Sequence, residues 1–243
     1  MAAFAALPGD AVLLPPLERT ALLLDLDGTL LDIAPTPGDV VVPPDLVQTL
    51  GRLRGALGDA LAIITGRPIE QVDALVPGLP YAVAGEHGGV IRHVPDAPAE
   101  RVVLPDPPAC WLAEAERLVS EHPGVLLERK RHGFVLHYRA VPQFGEALHA
   151  ALAALVEAEP RFVLMAARKA WEVRPGGADK GTAVTALMRR PPFLGRLPVF
   201  IGDDVTDEDA IRAARAAGGA GMLVPEQFGD AAGVRAWLAR TAA

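Results

Sequence analysis

Five short apolar runs, each ending in a turn, constrain this chain more than any other feature. They are Ala21-Leu-Leu-Leu-Asp25, Ala60–Ile64, Tyr81–Ala84, Pro198–Ile201 and Gly221–Val224. Each is continuous rather than alternating, so both faces of the strand it predicts must be buried. The intervening segments read as helices: Pro43–Leu57, Ile69–Leu75, Lys180–Met188 and Asp207–Ala217. Strand and helix in alternation argue for a parallel sheet with helices on its faces, an α/β fold.

The alternation breaks in the middle. Pro95, Pro98, Pro105, Pro107 and Pro108 crowd a short stretch that reads as a connection. Beyond it, Trp111–Glu121 and Gln143–Ala158 read as helices. Residues 125–130 and 133–139 read as strands joined by a tight turn at Arg131–His132, and 162–173 supplies more strand. This pattern predicts a smaller α+β insert. The expected division is a core of 1–92 and 173–243 around an insert of 93–172. A chain of 243 residues accommodates both. Hydrophobic residues at 51% and charged residues at 22% fit a folded globular protein.

Charge and cysteine content exclude several classes. With 23 basic and 30 acidic residues the net charge is −7, unsuited to nucleic-acid binding. The single cysteine, Cys110, rules out an internal disulfide and a cysteine zinc site. No apolar run reaches the roughly 18 residues of a membrane helix. Met1–Pro16 is apolar but has no basic residue before it, so no signal peptide is expected. The expectation is a cytoplasmic protein, a monomer or weak dimer, with no membrane or nucleic-acid partner.

The strand ends carry the chemistry. In open parallel sheets ligands bind beyond the carboxyl ends of the strands. Asp25 and Asp27 come after the first run, Thr65 and Gly66 after the second, and Gly202-Asp203-Asp204-Val205-Thr206-Asp207-Glu208-Asp209 after the fourth. Carboxylates gathered at one edge repel each other unless a cation intervenes. A hard divalent ion with oxygen ligands fits, and Mg²⁺ is the common one. An acidic helix start and an ordinary turn account for the two acidic segments taken singly. Lys180 makes both explanations weaker. The chain has 20 arginines and only three lysines, at 130, 169 and 180, so a lysine marks a place that needs an ammonium. A helix start disfavours a cation, and Lys180 opens one. Beside carboxylates and a metal it would bind an anion.

In this order, Asp25-Leu-Asp27-Gly-Thr, Thr65, Lys180 and Gly202-Asp203-Asp-Val-Thr-Asp207 resemble the haloacid dehalogenase superfamily. The resemblance spans nearly the whole chain. It implies a Rossmann-like core with a smaller α+β cap domain. It also implies Asp25 as nucleophile forming an aspartyl-phosphate and Asp27 as general acid and then base. Thr65 and Lys180 would hold the phosphate. Mg²⁺ would be bound by the Asp25 carboxylate, the Asp27 backbone carbonyl and Asp203, with Asp204 and Asp207 supporting the metal or the lysine.

The insert lies at the second cap position of that superfamily, typical of sugar-phosphate phosphatases. Gly85-Glu86-His87-Gly88, Glu128-Arg-Lys130, His137-Tyr-Arg139 and Glu172-Val-Arg-Pro175 look like the trehalose-6-phosphate phosphatase family. The resemblance implies trehalose 6-phosphate as substrate and Arg67, Glu86, His87, Glu128, Lys130 and Glu172 as the residues that contact it. A hydroxyl-rich disaccharide calls for such carboxylates and ammonium donors. Another sugar phosphate of the glucosylglycerate or mannosylglycerate type, or a non-catalytic sensor, remains open. The chain reads as a stand-alone phosphatase with no fused synthase. Trp111, Trp171 and Trp237 read as packing residues.

Overall fold

The computed structural model describes residues 14–34, 39–130, 132–167 and 169–242. Most of the N-terminal segment considered as a signal peptide, and Arg131 of the expected tight turn, lie outside the described residues. The chain divides into two compact units, 1–102 with 179–243 and 103–178.

The first unit begins with β1 (Thr20–Leu24), α1 (Pro44–Ala56), β2 (Leu61–Ile64), α2 (Ile69–Leu75), β3 (Ala82–Gly85), β4 (Val90–Arg92) and β5 (Glu100–Arg101). The second unit holds α3 (Ala109–Glu121), β6 (Leu126–Lys130), β7 (Gly133–His137), α4 (Gly145–Glu157), β8 (Phe162–Ala167) and β9 (Ala170–Pro175). The chain returns to the first unit through α5 (Lys180–Met188), β10 (Leu197–Gly202), α6 (Glu208–Ala216), β11 (Ala220–Leu223), α7 (Val224–Gln227) and α8 (Ala231–Thr241).

The sheet of the first unit has the order β11-β10-β1-β2-β3-β4-β5. The strands from β11 to β3 pair in parallel, and β4 and β5 add antiparallel. Alternate side chains of one strand serve two cores. Leu22 and Leu24 pack with Leu46, Leu50 and Leu53 of α1, Val72 of α2 and Trp237 of α8. Leu23 packs on the other face with Val184 and Leu187 of α5 and Ile211 of α6. That two-sided burial explains the continuous apolar runs; each leucine removed from water contributes about 1.5–3 kcal/mol. Among the described residues, no helix is long and apolar enough to cross a membrane.

Sequence order reverses across β1, with β2 on one side and β10 on the other. A ligand crevice forms at such a switch point. Asp25 and Asp203 come directly after these adjacent strands.

The second unit is a sheet of order β6-β7-β9-β8, antiparallel throughout. Phe134, Leu136, Phe162 and Val173 on one face form a core with Trp111 and Leu118 of α3 and Leu148 and Leu152 of α4. The register puts Glu128, Lys130, His137, Glu172 and Arg174 on the opposite face. Trp111 and Trp237 are buried in the cores of their units, and Trp171 packs against that of the second.

Two boundaries differ from the sequence reading. The units part after Val102 and after Ala178 rather than at 92 and 172. At the first boundary the reason is β5, two exposed polar residues that pair with β4 and bear no apolar signal; at the second, β9 runs on to Pro175. The strand material expected over 162–173 is two strands, Phe162–Ala167 and Ala170–Pro175. Its reversal includes Lys169 at φ 59°, with no glycine or proline to announce it.

Candidate active site

The centre of the first unit's site is an ammonium between two carboxylates. Lys180 Nζ lies 2.7 Å from Asp25 Oδ1 and 2.6 Å from Asp207 Oδ1. All three residues are buried. Each arrives by its own local logic. Asp25 continues β1, its N–H donating to the Ile201 carbonyl at 2.9 Å. Lys180 is the first residue of α5, whose start is fixed by a reciprocal cap between Asp179 and Thr182. Asp207 ends a short turn after β10, and its Oδ2 accepts the N–H groups of Asp203 at 3.0 Å and Asp204 at 3.1 Å.

The cation that the helix dipole disfavours is thus held by two carboxylates. The charges do not balance. Asp25, Asp203 and Asp207 bring ligand oxygens within 4.8 Å of one another, and Lys180 supplies one positive charge against three negative. Burial pushes the Asp25 carboxyl up to about 7; Lys180 pulls the other way and Asp207 adds to the rise. Burial raises Asp203 as well, with Asp207 and Asp204 contributing. Burial works against the charge on Lys180, but Asp25 and Asp207 outweigh it and its pKa is raised. Such a surplus of buried negative charge suits a divalent cation on oxygen ligands. Asp207 has both oxygens engaged, one by Lys180 and one by the loop, so its part is to hold those groups.

Gly28 shows how tightly the acidic loops meet. It sits at φ 77°, and a Cβ there would fall 2.1 Å from Asp203 Oδ2. The Thr29 hydroxyl, completing the Asp-Gly-Thr turn, is 3.4 Å from Asp25 Oδ2. The sequence reading gave Thr29 no role, although the motif contains it.

Thr65 comes after β2 and is buried. Its hydroxyl accepts the Arg67 N–H at 3.2 Å. A Cβ on Gly66 would meet His87 Nε2 at 2.6 Å, so the imidazole lies directly over this turn. His87 reaches it through strained backbone: Glu86 and His87 lie at φ 52° and 55°. Left-handed non-glycine residues cost on the order of 1–3 kcal/mol each and need surroundings that hold them. Two backbone hydrogen bonds do so here, Glu86 N–H to the Arg67 carbonyl at 3.0 Å and His87 N–H to the Thr65 carbonyl at 2.9 Å.

Three expected site residues have partners that the sequence did not indicate. The Arg67 guanidinium makes a bidentate pair with Asp27, Nε to Oδ2 and Nη2 to Oδ1, both 2.6 Å. The Glu86 carboxylate is paired with Arg101 at 2.7 and 3.0 Å. Asp204 caps the turn over 205–207 by accepting the Val205 N–H.

In the second unit the expected residues form an ion pair and a histidine–carboxylate hydrogen bond on one sheet face. Lys130 Nζ lies 2.9 Å from Glu172 Oε1, and His137 Nε2 lies 2.8 Å from Glu128 Oε2. The His137 contact holds the Glu128 carboxyl below the usual range, with Lys130 adding. His137 had no part in the expected site. Its signal was its place in the His137-Tyr-Arg139 strand end, diagonal to Glu128 across the β6–β7 ladder.

Comparison with known proteins gives the fold and the family. The Aspergillus fumigatus trehalose-6-phosphate phosphatase structure superposes with a TM-score of 0.74 at 24% identity, covering 92% of this chain and 93% of that one. A Synechocystis sucrose-phosphatase shares the fold at a TM-score of 0.51 and 17% identity, over 87% and 89% of the two chains. The trehalose-6-phosphate phosphatase of Escherichia coli is 37% identical over 207 residues, covering 85% of this chain and 77% of the relative. The trehalose-phosphatase profile matches residues 23–231, nearly the whole of both units, and the chain belongs to that family.

Proposed function

We propose that this chain hydrolyses trehalose 6-phosphate to trehalose and phosphate, with Mg²⁺ as cofactor. The observation that carries the reading is the buried Lys180 between Asp25 and Asp207, with Asp203 beside them. That set concentrates negative charge where a phosphate must arrive. It is suited to reaction only with a cation present. The Asp25 carboxylate, the Asp27 backbone carbonyl and the Asp203 carboxylate would hold Mg²⁺. Bound there, the ion would offset the repulsion between carboxylate and phosphate dianion and favour the charge that builds in the transition state.

Asp25 is the nucleophile. One of its oxygens bonds to phosphorus as the bond from phosphorus to the sugar oxygen breaks. Asp27 gives its proton to that leaving oxygen, and trehalose departs. Asp27, now a carboxylate, takes a proton from water, whose oxygen attacks the phosphorus of the aspartyl-phosphate. Phosphate leaves and Asp25 is restored. Lys180 neutralises Asp25 and the phosphate oxygens, and Asp207 keeps Lys180 in place. The Thr65 hydroxyl and the backbone N–H groups of its turn are donors to the phosphate.

We assign the sugar hydroxyls to Glu128, Lys130 and Glu172, with His87 as a further donor. Carboxylates and ammonium groups suit a ligand with many hydroxyls and little apolar surface. The division into a catalytic core and a specificity cap belongs to this reading. So do a cytoplasmic location, a monomeric or weakly dimeric state and the absence of a nucleic-acid partner, in keeping with a net charge of −7.

The test is phosphate release with Mg²⁺ from trehalose 6-phosphate beside glucose 6-phosphate, sucrose 6-phosphate and glucosylglycerate phosphate. Strong preference for trehalose 6-phosphate, abolished in Asp25→Asn, is the expected result. Preference for another phosphate would overturn the substrate and keep the chemistry. No turnover of any of them would overturn both.

A further inference from the structure

We infer that Arg67 is a positioning residue for Asp27, acting on turnover through that carboxylate rather than through contact with the sugar. The inference rests on the reading of Asp27 as general acid and base. Asp27 sits on a turn before Gly28, and its side chain is 37% exposed. Packing alone leaves such a group free to rotate, yet proton transfer to a leaving oxygen needs a fixed direction. The Arg67 fork supplies it. Two N–H groups meet two carboxylate oxygens at 2.6 Å, which fixes both the place and the plane of the carboxylate. The Arg67 side chain is itself only 11% exposed.

Arg67 is anchored in turn. Its N–H donates to the Thr65 hydroxyl at 3.2 Å. Its carbonyl accepts the Glu86 N–H at 3.0 Å. Its Nη1 reaches Gln71 Oε1 at 3.3 Å. Gly85 lies so close that a Cβ there would be 2.7 Å from the Arg67 carbonyl oxygen. The left-handed backbone at Glu86 and His87 thus has a mechanical consequence. It straps down the residue whose side chain aims Asp27, in register with the Thr65 turn.

The geometry is compatible with both halves of the reaction. When Asp27 carries a proton, one oxygen still accepts from Arg67 while the other offers its O–H to the leaving oxygen. When Asp27 is a carboxylate, both oxygens accept from the fork until one takes the proton of water. Arg67 transfers no proton and only keeps its hydrogen bonds. A lysine has one point of contact and fixes no plane, so it is not equivalent.

The test is a double-mutant cycle on the full chain with saturating Mg²⁺, read as trehalose release in a single turnover. Arg67→Ala should slow release by roughly 10- to 100-fold, with the steady-state KM for trehalose 6-phosphate within about threefold. Arg67→Lys should restore little of it. On an Asp27→Asn background, Arg67→Ala should cost less than about twofold, because the group it aims is gone. The burst of p-nitrophenol from p-nitrophenyl phosphate, a leaving group that needs no proton, should change by less than about threefold. A raised KM with kcat preserved would overturn the inference in favour of substrate binding. Losses that multiply across the cycle, or that strike p-nitrophenyl phosphate equally, would overturn it in favour of general damage. Asp27→Asn with undiminished trehalose release would instead overturn the acid–base reading beneath it.

Discussion

Lys180 and Asp25 are 155 positions apart in sequence and 2.7 Å apart in the fold, both almost wholly buried. The contact ties the start of α5 to the end of β1, although the whole second unit intervenes in the chain. Removing the ammonium would leave Asp25 and Asp207 buried and uncompensated. Lys180→Met should therefore lower stability by about 3–5 kcal/mol in the metal-free protein, and should abolish phosphatase activity. Denaturant unfolding with and without Mg²⁺ checks the first, and phosphate release checks the second. Lys180→Arg should not rescue activity, since a planar fork cannot replace a compact ammonium at this site.

The raised pKa of Asp25 fixes the sign of a pH effect. In the metal-free folded chain it titrates near 7, against a carboxyl value of 3.8 when unexposed to these neighbours. Between those values the folded state binds more protons than the unfolded state. Stability of the metal-free protein should therefore fall as pH rises from about 4 to about 7, on the order of a few kcal/mol, and level off above. Thermal unfolding across this range, in chelator, measures the slope. Asp25→Asn should flatten it. Mg²⁺ binding near neutral pH should release protons, visible as a dependence of the calorimetric binding heat on buffer ionisation enthalpy.

Much of this arrangement was legible in sequence because the fold places its chemistry at strand ends. A run such as Ala21–Leu24 must be buried on both faces, and the residue after its last leucine must stand at the edge of the sheet. Asp25, Thr65 and Asp203 are found by that rule, and Lys180 by the scarcity of lysine. What escaped depends on side-chain direction or on weak local signals. Nothing in the spacing of Asp27 and Arg67 indicates that the arginine turns to the aspartate. The reversal at Lys169 uses a left-handed residue without glycine, so nothing in 162–173 marks where its strands turn. Strand β5 is two polar residues held by pairing alone, and the core extends past the point where apolar patterning stops.

The sheet face of the second unit gives a prediction separate from the core. Glu128 and Glu172 each hold a partner on that face, the His137 imidazole and the Lys130 ammonium. If they meet sugar hydroxyls, Glu128→Gln and Glu172→Gln should each raise KM for trehalose 6-phosphate by about 10- to 100-fold, the worth of a hydrogen bond to a charged group. The p-nitrophenyl phosphate burst should be unaffected. His137→Ala should raise KM less than Glu128→Gln, because the carboxylate remains and loses only its orientation. These pairs are largely exposed, so none of the three changes should shift the unfolding midpoint appreciably. A kcat loss with KM constant would remove these residues from sugar recognition.

Gly28 offers a test of the metal site that does not depend on turnover. Its φ of 77° disfavours any side chain, and a methyl group there would overlap Asp203 Oδ2. The clash can be relieved only by moving the Asp203 carboxylate or the turn that carries Asp25 and Asp27. Either movement spreads the oxygens that would share one cation. Mg²⁺ accepts little distortion of its octahedron. Gly28→Ala should therefore weaken Mg²⁺ binding by at least about tenfold, read by calorimetric titration or by the loss of the rise in Tm that Mg²⁺ gives the unaltered chain. The buried Lys180 pairs involve neither Gly28 nor Asp203 and should persist, so the metal-free variant should remain folded. Unchanged Mg²⁺ affinity in a folded Gly28→Ala protein would show that Asp203 is not a ligand.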